Sequence, residues 1–136
     1  MTPARLHLIV SMLCMQAASA QADALFDAHL HYNAAHADSL TPAQVIATLK
    51  AGNIQHAAIM SRPPGLVQRL HALDPERIVT LLGAYRKLDD KSKWMHDTSL
   101  PARMREQLQT GVWNGIGELH IFAADRHSEV LRDIVE

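Results

Sequence analysis

Hydrophobic patterning along the chain predicts an α/β fold built on a parallel sheet. Apolar runs with strand character alternate with stretches whose apolar residues recur at helical spacing. The strand-like runs start near positions 25, 54, 78 and 115, a repeat of about thirty residues, which is the size of one β-α-β unit. One of them, Ile78 to Tyr85, is almost continuously apolar, as a strand covered on both faces is. The order β-α-β-α-β-α-β-α then requires right-handed crossovers between parallel neighbours.

Each element has a local cause. In Leu25-Phe26-Asp27-Ala28-His29-Leu30-His31-Tyr32 the polar residues fall at every second position, so alternation sends Asp27, His29 and His31 to one face and Ala28, Leu30 and Tyr32 to the other. A polar loop runs from Asn33 to Leu40. Thr41-Pro42-Ala43-Gln44 combines a capping threonine, a proline at the first helical position and a glutamine three residues after the cap. A helix starts there, with Val45, Ile46 and Leu49 as its apolar stripe and Gly52-Asn53 as its stop. Ile54 to Met60 is the second strand. Ser61-Arg62-Pro63-Pro64-Gly65 breaks the pattern, and Leu66, Val67, Leu70 and Leu73 resume it as a helix until Asp74-Pro75. After the third strand, Arg86 to Ser99 is a long polar loop holding Trp94 and His96. A helix over 101–110 is closed by Gly111, Asn114 to Phe122 reads as a fourth strand, and Ser128 to Glu136 as a fourth helix.

The 136 residues suit one domain with a real core. Basic and acidic residues nearly cancel (13 against 14), no basic run exists and aromatics are sparse, so neither a nucleic-acid stripe nor a membrane-surface helix is expected. The first twenty residues read as a signal peptide. Arg5 supplies the positive start, Leu6 to Ala17 an apolar stretch too short to span a bilayer, and Ala18-Ser19-Ala20 a small-x-small cleavage site. The domain proper is then 24–136, exported to the periplasm or secreted, with no membrane attachment after processing. Cleavage near Ala20 makes the formal charge one unit more negative and removes Cys14, the only cysteine. Disulfides, cysteine-rich zinc sites and a cysteine nucleophile are thereby excluded.

In parallel α/β folds, the loops leaving the C-terminal strand ends gather on one face and carry the chemistry. Here those loops begin near His31, Met60, Tyr85 and Phe122. The first and third are the longest, which suits a pocket for a small-molecule substrate. Two imidazoles two strand residues apart, roughly 6–7 Å along the backbone, can converge on one cation while the carboxylate of Asp27 fixes a ring orientation. A bare His-x-His arises by chance in a chain with nine histidines; the strand context and the preceding Asp27 favour the metal. His36, Arg62, Arg86, Trp94, His96 and His127 lie in loops on the presumed active face. Arg62 and Arg86 are candidates for a two-pronged grip on a substrate carboxylate. His56, near the opposite strand end, and His71, on an outer helix, read as structural.

Asp27-Ala28-His29-Leu30-His31 on a first strand, followed by Gly115-Ile116-Gly117-Glu118-Leu119-His120 on a fourth, resembles the amidohydrolase superfamily of metal-dependent hydrolases. The resemblance runs from about Leu25 to Glu136. It implies a TIM-type (β/α)₈ barrel of which about four N-terminal βα units are present. It also implies one or two divalent metals at the C-terminal face, zinc first among them, and hydrolysis of amide, ester or lactone carbonyls, with decarboxylation in some branches. His29 and His31 would be the first-strand ligands and Glu118 the fourth-strand one. His120, on the same face by alternation, would contact substrate. Glu118 has a competing reading as a strand-end carboxylate paired with Arg86 or another cation. The family's usual base, an aspartate at the eighth strand, has no counterpart here, since a complete barrel takes about 250 residues. The resemblance therefore implies either the front of a longer hydrolase or a half-barrel that pairs with a missing half or with its own copy. Two alternatives stand beside it. One is a phosphoesterase like the histidinol phosphatases, whose early histidines are not matched by His36 and His56. The other is a non-catalytic exported protein that binds metal or a small carboxylate.

Overall fold

The computed structural model describes residues 23–136. The leader expected over residues 1–20 lies outside the described residues. Element order is β1 (Leu25–His31), α1 (Ala34–Ala37), α2 (Pro42–Ala51), β2 (Ile54–Met60), α3 (Gly65–Leu73), β3 (Ile78–Leu82), α4 (Leu100–Leu108), β4 (Gly115–Ile116) and α5 (Glu129–Val135). Short 3-10 turns lie at Leu88–Asp90, Trp94–His96 and Ala123–Asp125. The four strands form one parallel sheet in the order β1-β2-β3-β4. This is the α/β arrangement the patterning predicts. When every crossover has the same hand, such sequential order puts the connecting helices on one face. Among the described residues no helix is long and apolar enough to cross a membrane.

Helix α2 begins where its sequence says it should. The Thr41 hydroxyl accepts the Gln44 N–H at 3.3 Å, and Gln44 Oε1 accepts the Thr41 N–H at 2.8 Å. Its buried stripe, Val45, Ile46 and Leu49, joins Leu66, Val67 and Leu70 of α3 and Ala57, Ile59, Ile78 and Leu82 of the strands in one core. Full burial of each large aliphatic contributes about 1.5–3 kcal/mol. Asp74, at the end of α3, ties this layer together by pairing with Lys50 at 3.1 Å and Arg77 at 3.1 Å.

Three expectations about strands are corrected. The third strand stops at Leu82 rather than Tyr85, because β4 pairs only with Leu81 and Leu82. The fourth is two residues long rather than spanning Asn114 to Phe122. Asn114 fixes its start: its side-chain oxygen accepts the Thr80 N–H at 2.8 Å while its own N–H reaches the Thr80 carbonyl at 3.0 Å. Gly117 N–H still donates to the Leu82 carbonyl at 3.1 Å; beyond it the chain leaves the ladder and side chains take over: the Met60 sulfur accepts from Glu118 N–H at 3.0 Å, and the Trp94 indole N–H donates to the His120 carbonyl at 3.1 Å.

The simple alternation expected in β1 is also broken. Asp27 stands opposite Ala57 but Leu30 opposite Ile59, so three steps on β1 match two on β2. An extra residue of this kind flips the facing of the residues after it. His31 is in register with Met60, whereas Asp27 is in register with Ala57 on the helix side. Asp27 and His31 do not share a face.

Candidate metal centre

His31 ends β1, the first strand of the sheet, and Glu118 follows β4, the last; roughly 14 Å, three strand spacings, separates such edges. The segment after Gly117 closes that gap by crossing the strand ends above Met60. Met60 is buried, and its sulfur holds the Glu118 backbone in place. Gly83 makes room for it: a Cβ there would stand 2.7 Å from the Met60 sulfur.

The result is a cluster of three donors. His29 Nε2 and His31 Nε2 are 3.0 Å apart, and Glu118 Oε2 lies 3.2 Å from His31 Nε2 and 4.0 Å from His29 Nε2. Ligands at the tetrahedral angle on zinc stand about 3.3 Å apart, given bonds of about 2.0–2.1 Å. Two edges of the triangle match that spacing and the third is longer. His29, His31 and Glu118 are thus a group of the size that can hold a metal ion. Burial lowers the His31 pKa below its ordinary value, with Arg62 and His29 adding to the effect and Glu118 opposing it. A neutral imidazole is the form whose lone pair can ligate. His31 Nδ1 is buried without a hydrogen-bond partner among the described residues, so its ring is held from the Nε2 side and by packing.

A second layer holds Glu118. His120 Nε2 lies 3.3 Å from Glu118 Oε1, and His120 Nδ1 lies 2.9 Å from the Tyr85 hydroxyl. A carboxylate only accepts, so a neutral His120 must carry its proton at Nε2; Nδ1 then accepts from Tyr85. Arg62 Nη1 donates to the same hydroxyl at 3.4 Å and its guanidinium sits 5.3 Å from the Tyr85 ring centroid. Burial raises the Tyr85 pKa, with Glu118 adding and Arg62 opposing, which keeps the phenol protonated.

Each candidate from the sequence can now be placed. His29, His31 and Glu118 come together, and Glu118 pairs with histidines rather than with Arg86. Asp27 does not fix a ring: its Oδ1 accepts the His29 backbone N–H at 3.0 Å. His120 reaches the site, but both its ring nitrogens are engaged, so it holds Glu118 instead of presenting a free nitrogen to substrate. Arg62 stands beside the cluster; Arg86 is exposed and lines an adjoining groove. Among the weaker candidates, His36 caps α1 through Asn33, His96 pairs with Asp125 at 3.4 Å, and His127 is exposed just before α5. His56 and His71 bind the carbonyls of Glu76 and Ile78, as structural residues do. A separate cavity of about 580 Å³ between α3 and α4 is lined by Tyr85 and Trp94 but by none of the three donors.

Sequence patterning does not mark Tyr85 and Met60 as site residues. Their only signal is position: each lies at or just beyond the C-terminal end of an apolar strand run, where this fold concentrates its chemistry. No protein-family model, curated protein or solved structure matches the chain.

Proposed function

We propose that the chain carries the metal centre of an amidohydrolase-type hydrolase, acting on an amide, ester or lactone carbonyl of a small molecule. The observation that carries this reading is the convergence of His29 Nε2, His31 Nε2 and Glu118 Oε2 from opposite edges of one parallel sheet. The barrel expected from the motif resemblance fits a sheet in sequential order, whose next strands would add beyond β4. The apolar leader of residues 1–20 supports export, so this chemistry would operate outside the cytoplasm.

His29, His31 and Glu118 would hold a divalent cation through the two Nε2 atoms and Oε2, while His120 restrains Glu118 Oε1. A divalent cation such as zinc would supply Lewis acidity there, for activating water and polarising a substrate carbonyl. Tyr85 keeps the His120 proton on the nitrogen facing Glu118, and Arg62 keeps positive charge at the rim. The Tyr85 and His120 contacts hold the Glu118 carboxylate in place before any ligand arrives, the kind of outer support a metal ligand needs.

The direct test is zinc retention by the full chain, measured by elemental analysis after gel filtration and by calorimetry. The wild type should retain zinc; His29→Ala/His31→Ala should retain none, and Glu118→Gln should bind at least about tenfold more weakly. Retention by the double variant equal to wild type would reject the site. Zinc-loaded protein is then assayed on ester, amide, lactone and phosphomonoester panels. Turnover restricted to phosphomonoesters selects the phosphoesterase reading, and zinc without turnover on any panel selects the binding protein.

A further inference from the structure

Arg62 is held in place and, among the described residues, has no carboxylate partner. Its backbone N–H donates to Asn33 Oδ1 at 2.8 Å, and its carbonyl accepts the Ala34 N–H at 3.0 Å, so the residue is pinned to the loop after β1. Its guanidinium is set over the Tyr85 ring and donates to the Tyr85 hydroxyl, the one hydrogen bond that the guanidinium makes among the described residues. Among the described residues no acidic side chain pairs with it, although it is partly buried. The remaining N–H donors of its planar fork have no partner among the described residues, and its charge is close enough to act on His31. A half-buried, unpaired guanidinium is costly unless something else satisfies it.

The groove beside Arg62, which Glu118 does not line, has cations alone among its charged residues. Its volume is about 380 Å³, Arg86 and Lys87 line it with Arg62, and no Asp or Glu does. Neither Arg86 nor Lys87 is in an ion pair among the described residues. A concavity lined by one sign of charge concentrates ligands of the other. Exposed cations such as Arg86 and Lys87 are screened by salt, so they attract more than they hold. Arg62, preorganised by stacking and by its backbone contacts, is the group that would hold.

We infer that the substrate is a small carboxylate-bearing molecule, whose carboxylate is gripped by the Arg62 fork while its reacting carbonyl lies at the His29, His31 and Glu118 centre. This rests on the metal-centre reading and adds the substrate class to it. Arg86 and Lys87 steer the anion into the groove. Arg62 is then a specificity residue: it contacts the end of the substrate remote from the reacting bond.

The test uses the full chain loaded with zinc and titrated calorimetrically with the dicarboxylates from malonate to adipate, each against the monocarboxylate of equal carbon number. The dicarboxylate of matching span should bind about tenfold or more tighter than its monocarboxylate, as a charge-assisted two-pronged contact allows. Arg62→Gln should abolish that advantage and hold zinc at least as tightly as wild type, Arg62→Lys should keep part of it, and Arg86→Gln/Lys87→Gln should keep most of it at high salt. An advantage absent from zinc-loaded wild type, or one that survives in Arg62→Gln, overturns the inference while leaving the metal centre standing. Inorganic phosphate binding more tightly than every dicarboxylate overturns the carboxylate class. In zinc-free protein the Arg62 fork is unchanged, so butyrate binding that Arg62→Gln removes is expected there too. If zinc fails to bind while that contact persists, the metal-centre reading fails and the anion site does not.

Discussion

Glu118 has two oxygens and two tasks: Oε2 faces the histidine pair, and Oε1 is taken by His120. Tyr85 sets the second task by donating to His120 Nδ1. Tyr85→Phe should therefore weaken zinc binding by about tenfold, the lower end of what outer contacts of metal ligands contribute. Its cost in stability should be about 1–2 kcal/mol, for the hydrogen bond to His120 and the longer one from Arg62. Tyr32→Phe is the matched control. Tyr32 is equally buried and its hydroxyl donates to the Leu40 carbonyl at 2.6 Å, so the substitution should lower stability similarly without touching zinc affinity. Equal zinc affinity in both variants by calorimetry would show that Tyr85 does not position the site.

At the scale of elements, the helices and the site draw on different contacts. Thr41 caps α2, which packs on the helix side of the sheet, away from the donor cluster. Thr41→Ala should cost about 1 kcal/mol in urea denaturation and leave zinc retention unchanged. Gly83 lies at the end of β3 against the Met60 sulfur that holds the Glu118 backbone. Gly83→Ala should displace that sulfur and reduce zinc retention more than it lowers the urea midpoint. If Gly83→Ala leaves zinc affinity at the wild-type value, Met60 is not the floor of the site.

For the whole molecule, acid stability follows from two aspartates. A hydrogen-bonded contact with Lys50, and then with Arg77, lowers the Asp74 pKa; Arg103 and Ser99 hold Asp97 down to about 2. Folded values below the unfolded aspartate value of about 3.9 mean that the unfolded chain binds more protons in that interval. The stability these groups contribute is present above about pH 4 and is lost as pH falls towards 2. The Asp97 pair is largely solvent-exposed, so its share is small. Urea midpoints should fall across that window, and Asp74→Asn should flatten the fall more than Asp97→Asn. The reverse order would mean that the link between α2, α3 and the approach to β3 is not what fails first in acid.

The alternation of strands and helices, the cap at Thr41, the stop after Lys50 and the end-of-strand position of His31 were all legible in the sequence. They depend on residues within a turn or two of one another, where period, caps and breakers decide the outcome. Local pattern misled where distant partners intervened. The extra residue between Asp27 and Leu30 answers to pairing with β2, and β4 is short because Met60 and Trp94 take the hydrogen bonds a neighbouring strand would have taken. The candidate site divides in the same way. His29 and His31 stand next to each other in sequence, so their pairing could be read directly. That Glu118 crosses the sheet to meet them, that His120 holds it, and that Arg62 and Tyr85 stand behind it were decided only when folding brought four strand ends together, because no local rule couples side chains so far apart along the chain.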